Sequence, residues 1–298
     1  MWSNFFDINS NYINKLCITD ECILFADDTA LTYVHHDLKY LLNHVNNRLK
    51  IILDWCRFNK LSINPTKSEF MIITNRNIDI TPKLYLGDDE ISKKRSVKYL
   101  GLYIDDGLRF QTQLHYLKTK LSRIRGISTR ICKNLNLQTA TTFYYAFVYS
   151  TITYCISVWG GALHHSYISS KLDKVHQKIV KNLFKKYYSN NVCLFKELKF
   201  LKLKDIHKFY ACVYMYKILN SNECPTLSND MCLDYRNHPH NTRNRHTLIV
   251  PFPRVNSVLR NYEYQFIKLW NELPERITNQ TSLRLFKRKL QLYYIEFY

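Results

Sequence analysis

Between Asn134 and Ser170 the chain carries no charged side chain. A stretch of that kind must be buried against the rest of the protein or cross a bilayer, because its backbone polar groups need partners either way. Thr141, Thr142, Ser150, Thr151, Thr153 and Ser157 interrupt it, and a continuous apolar run of about 18 residues is absent. The pattern predicts a buried helix closed by Gly160-Gly161, with no membrane span. Its neighbours are amphipathic. Leu114, Leu117, Leu121, Ile124, Ile127 and Ile131 recur at spacings of three and four, as do Ile168, Leu172, Val175, Ile179 and Leu183. A last helix is expected over 283–294, and the polar, proline-bearing stretch 221–260 reads as an irregular connection.

The first 104 residues follow a different rhythm. From Cys22 to Val34, β-prone apolar runs flank a short acidic centre, which predicts two buried strands joined by a tight turn. Leu38, Leu41, Leu42, Val45, Leu49, Ile52 and Leu53 then mark a helix with Asp37 as N-cap, ending near Asn59. A turn over 61–67, a strand over 70–74 and a hairpin over 83–104 complete the set. The fold class is therefore α+β, with β-hairpins and a helix first and a mainly helical remainder. No internal repeat is visible.

Charge divides the chain in the same place. Residues 1–110 hold 14 basic and 14 acidic side chains, whereas residues 111–298 hold 29 and 10, so the whole +19 excess lies in the later part. The window 171–217 alone has 12 lysines against 3 acids. Such asymmetry points to a polyanionic partner, nucleic acid before a membrane surface. Nine cysteines at irregular spacing, with no apolar leader over Met1–Ser10, predict an intracellular protein, nuclear or cytoplasmic and not secreted. On that reading the sequon at Asn279 carries no meaning. Cys224, Cys232, His238 and His240 fit no common zinc spacing.

Three adjacent aspartate pairs occur: Asp27-Asp28, Asp88-Asp89 and Asp105-Asp106. Aspartate suits turns, so such a pair is by itself ordinary turn chemistry. Two-metal phosphoryl transfer needs carboxylates on a rigid support, clustered so that two cations sit about 4 Å apart, and a tight hairpin between buried strands supplies such a support. Both Phe25-Ala26-Asp27-Asp28 and Tyr103-Ile104-Asp105-Asp106 have the form expected of a polymerase palm hairpin. Order separates them. A packing helix, a lysine-bearing turn and a second hairpin follow Asp28, whereas helices alone follow Asp106, and Gly107 marks a simple turn there.

Several further motifs stand in sequence: Leu24 to Thr29, Trp55 through Leu61-Ser62-Ile63-Asn64-Pro65-Thr66-Lys67, and Val97-Lys98-Tyr99-Leu100-Gly101 with Asp105. Tyr154 with Val158-Trp159-Gly160 comes next, and Leu269-Trp270-Asn271-Glu272-Leu273-Pro274 leads into Phe286-Lys287. In this order the chain resembles the reverse transcriptases of non-LTR retrotransposons, the jockey-like elements in particular. The resemblance implies a partial palm over 1–110, a helical thumb-like basic region over 111–220 and a basic C-terminal region over 221–298. It implies that Asp27 and Asp28 hold Mg²⁺, that Lys67 protonates the leaving pyrophosphate, and that Tyr99, Leu100 and Gly101 form the primer grip. Lys118, Lys120, Arg123 and Arg125 would track phosphates. The implied partners are an RNA template and DNA primer, paired as a hybrid, and a dNTP.

In that family the fingers and the first palm half precede the catalytic hairpin and carry another metal-binding aspartate. Asp7 and Asp20 lie in unpatterned sequence and do not replace it, and no endonuclease domain is visible. The expectation is that this polypeptide alone does not polymerise. The alternatives are a non-catalytic nucleic-acid-binding protein and a pseudogene relic.

Overall fold

The computed structural model describes residues 21–26, 28–74, 76–78, 80–164, 166–188, 192–220, 247–250 and 262–298. They form a mixed chain of many helices and a few small sheets, in keeping with an α+β class. Two compact units part between Gly107 and Leu108.

In the first unit, β1 (Glu21–Phe25) and β2 (Asp28–Thr32) pair antiparallel. Helix α1 (Leu38–Phe58) starts where Asp37 predicts, its carboxylate accepting from the N–H groups of Lys39 at 2.8 Å and Tyr40 at 3.3 Å. These bonds hold the Asp37 carboxyl below its ordinary pKa. Asn59 ends the helix by donating its backbone and side-chain N–H groups to the Trp55 carbonyl.

The inward face of α1 buries Val45, Leu49, Ile52 and Cys56. Leu84, Leu86 and Ile91 join Val45 and Leu49 in one cluster, with Leu31, Tyr33 and Ile63 packed against it. Asn46 ties the same helix to β4 (Leu84–Leu86), donating to the Lys83 carbonyl and accepting from the Tyr85 N–H.

The region expected as one hairpin over 83–104 is two. β4 pairs with β5 (Asp89–Lys93), and β6 (Ser96–Tyr99) pairs with β7 (Leu102–Asp105). Each connection needs only two residues, so a loop spanning both is unnecessary. The strand expected over 70–74 is shorter: β3 covers Glu69–Phe70 and runs parallel to β5.

In the second unit, α2 (Gln111–Ile131) packs along α6 (Tyr167–Phe184). The predicted stripe holds through Ile124. Beyond it Ser128 is the buried residue, Ile127 is exposed and Ile131 half-buried. The uncharged segment is a broken helix: α3 (Leu137–Phe143), a π-helical turn (Tyr144–Tyr149), α4 (Ser150–Thr153), α5 (Ile156–Trp159) and a 3-10 turn (Gly160–His164).

The π turn has a physical reason. Ala140, Tyr144, Val148, Ile152 and Ile156 are all buried, at a strict spacing of four. Four residues overshoot one α-helical turn by about 40°, so that repeat would drift off a straight helix; the wider π turn takes up the difference.

Among the described residues no single helix is long and apolar enough to cross a membrane; the bent pair Leu137–Thr153 and Ile156–His164 passes by length and composition together. At the centre lies α8 (Leu203–Asn220), buried on most sides and contacted by α9 (Tyr262–Asn271), α11 (Leu283–Glu296) and α5. The short helices α7 (Leu194–Glu197) and α10 (Glu275–Thr278) fill the periphery.

Candidate functional site

The β1–β2 ladder closes at Phe25 opposite Asp28, so only Ala26 and Asp27 connect the strands. Ala26 has φ 51°, the sign that two-residue hairpin turns demand and that a non-glycine residue adopts at a cost. Cys22 and Leu31 pack beside Ile52 and Cys56, while Phe25 at the tip is 62% exposed. The hairpin is thus anchored at its base and presents its tip, where Asp28 is exposed. Asp27 lies outside the described residues, as do Asp7, Asp20 and the Cys224–His240 group. Asp28 is the one described carboxylate at this tip, and no group of three or more potential metal ligands occurs among the described residues. The described residues alone do not make a divalent-cation site.

Lys67 ends a 3-10 turn, Pro65–Lys67. The Asn64 side chain accepts from the Thr66 N–H at 3.0 Å and the Thr66 hydroxyl at 2.7 Å, and the Ser68 hydroxyl donates to the Asn64 carbonyl. Proline fixes φ at the first position. The turn therefore holds an exposed Lys67 on a rigid base beside β5. No hydrogen bond or ion pair joins Lys67 to Asp28 among the described residues.

Leu100 and Gly101 are the two turn residues of the β6–β7 hairpin, with φ 44° and 82°. Both signs match a type I′ turn. Tyr99 is half-buried, and its hydroxyl is enclosed without a hydrogen-bond partner. Asp88 and Gly87 occupy the corresponding turn between β4 and β5, so Asp88-Asp89 is turn chemistry, as its sequence suggests. Asp106 donates its N–H to the Arg95 carbonyl at the end of β7.

The four basic residues of α2 do not share one face. Lys118 and Arg125, seven apart, flank one side of the buried stripe and are half-buried; Lys120 and Arg123 are exposed and lie on the other side.

Two motifs in the second unit turn out to be packing devices. The Trp159 indole, fully buried, donates to the Tyr154 carbonyl at 2.8 Å across a break where Cys155 has φ 51°. Gly160 lies against His207: a Cβ there would stand 2.2 Å from the ring. Asn271 accepts from the Leu248 N–H and donates to its carbonyl, and Trp270 packs on Phe286.

Sequence reasoning missed two buried histidines. His176 sits 3.0 Å from the Tyr144 hydroxyl, and His207 sits 3.2 Å from His164. Burial pushes His176 down to about 4; burial first, then the nearby His164 and Lys208, takes His207 down to about 3. Their apolar spacing on α6 and α8 was the available signal.

Residues 2–104 match the profile of the reverse transcriptase (RNA-dependent DNA polymerase) family. Over this segment, about a third of its length, the chain is similar to reverse transcriptases. The match covers both hairpin turns and the Lys67 turn. A Pol polyprotein of the type-1 retrotransposable element R1 from Bradysia coprophila, described as retrovirus-related, is 23% identical over 176 residues. That alignment takes in 57% of this chain and 17% of the relative, so the chain spans a minor part of the polyprotein it matches. The two similarities together support a reverse transcriptase of a non-LTR element. No solved structure matches the chain.

Proposed function

We propose that the chain is the C-terminal portion of a jockey-like retrotransposon RNA-directed DNA polymerase, with a partial palm over 1–110, a thumb-like basic region over 111–220 and a basic C-terminal region beyond. The observation that carries this is the two-residue turn at Ala26-Asp27, inside the segment that matches the family, with α1, the Asn64–Lys67 turn and the Tyr99–Leu102 hairpin following in order. In the reaction a primer 3′-hydroxyl attacks the α-phosphorus of a dNTP paired to an RNA template and pyrophosphate leaves. Asp27 and Asp28 would hold Mg²⁺, which supplies charge neutralisation when bound. Lys67 gives a proton to the departing pyrophosphate. Tyr99, Leu100 and Gly101 bear on the primer end, and Lys118, Lys120, Arg123 and Arg125 on the RNA–DNA hybrid. The irregular spacing of the cysteines favours an intracellular placement in nucleus or cytoplasm.

Two-metal transfer draws carboxylates from more than one element, so the chain alone is expected to bind an RNA–DNA hybrid without extending it. Joined to an upstream palm half from a related element, it should extend a DNA primer on RNA. Asp27→Ala should then lower the rate by a thousandfold or more and leave hybrid binding within twofold. Extension by the Asp27→Ala protein at the parental rate would sink the assignment. The charge excess confined to 111–298 also favours a second reading, a non-catalytic nucleic-acid-binding protein. Hybrid binding without extension by the joined protein would support it.

A further inference from the structure

Lys171, Lys174, Lys178, Lys181 and Lys185 stand three and four residues apart along α6 and its end, and all five are exposed. They form one line opposite the face that buries Leu172, Val175, Ile179 and Leu183. None of the five makes an ion pair among the described residues, and the nearest acid on the helix, Asp173, accepts a hydrogen bond from Gln177 at 2.7 Å. Exposed Tyr167 heads the line, with the Lys171 ammonium 4.6 Å from its ring centre. At the other end the line enters a cleft of about 630 Å³, where Lys181, Lys185 and Lys202 face apolar walls that include Val180, Leu194 and Phe195.

We infer that this line is a track for a single-stranded polynucleotide, with phosphates on the lysines and a base seated in the cleft. It rests on the reading that the second unit faces nucleic acid, and it adds a single-strand contact on α6 to the hybrid contact on α2. The five lysines extend over about 21 Å at 1.5 Å per residue, so they meet several consecutive phosphates of one strand. The cleft has the size of a small-ligand site and no acidic side chain among its described lining residues. Its apolar walls accept an unpaired base, which a duplex keeps in its stack.

The test is fluorescence anisotropy of a labelled single-stranded oligonucleotide with the full chain across a salt series, with an unlabelled single strand or a duplex of equal length as competitor. Each single-strand phosphate contact contributes about 0.7 to the slope of log K against log salt. Replacing all five lysines by glutamine should flatten the slope by about 3.5, while R284Q/R288Q/K289Q on α11, all exposed, leaves it within one. If the fivefold variant fails to fold by circular dichroism, K178Q and K181Q singly should each flatten it by about 0.7. Single strand should compete at least tenfold better than duplex. An unchanged slope in the α6 variants, or equal competition by duplex, overturns the track. A flattened slope in the α11 variant alone would do so while leaving the nucleic-acid reading intact. No binding by the parent chain would remove both.

Discussion

Gly160 owes its place to His207 and not to backbone freedom. An added methyl would stand 2.2 Å from a ring that is itself 1% exposed and so has little room to retreat. Gly160→Ala should therefore cost about 1–3 kcal/mol, the ordinary range for an overpacked core. Gly126→Ala provides the opposite sign. Nothing lies within 4 Å of the new atom on α2, and replacing a mid-helix glycine stabilises by about 0.5–1 kcal/mol. Urea midpoints of the two variants should move in opposite directions; a shift in the same direction would refute the packing argument at Gly160. The sequence showed Gly160-Gly161 as a helix end but could not show a partner 47 residues away.

Turns and helices differ in how far the sequence exposed them. Helix α1 announced itself through an N-cap and one apolar stripe, and both ends stand where they were expected. The central helix α8 did not. It is buried on nearly every side, so its sequence lacks the polar face that periodicity detects. The β6–β7 turn was half legible, because Gly101 is a turn residue and Leu100 is not. A leucine at φ 44° is an uncomfortable choice for the first position of a type I′ turn, where asparagine is favoured. Leu100→Asn should raise the thermal midpoint by an amount equivalent to a few tenths of a kcal/mol, up to about 1. A lower midpoint would show that the leucine side chain contributes more by its contacts than its backbone costs. The order of elements expected after Asp28, a helix, a lysine-bearing turn and a hairpin, was legible, because each carries its own local signal.

At the scale of the molecule, acid should be the sensitive condition. His176 and His207 are neutral in the fold, with values near 4 and 3 against an ordinary 6.5. Because the folded values are depressed, the full contribution is present above pH 6.5. As pH falls below that, the unfolded chain takes up protons the fold refuses, until the folded values are reached. Each histidine then removes about 1.4 kcal/mol per pH unit. The thermal midpoint should drop steeply between pH 6.5 and 5, and less so in His176→Gln, which keeps a partner for the Tyr144 hydroxyl. A midpoint constant over that interval would contradict the neutral burial of both rings.

The π-helical turn at Tyr144–Tyr149 is best understood as slack wound into a helix. It lets Ala140, Tyr144, Val148 and Ile152, spaced four apart, stay on one line up to the break at Tyr154. Losing one residue within the turn would let it tighten to an α turn and leave the downstream segment nearly in phase, whereas a loss elsewhere in Leu137–Thr153 would rotate that segment by about 100°. In a lineage where this segment persists, a one-residue gap between Leu137 and Thr153 should fall inside the turn and not in the α-helical stretches beside it.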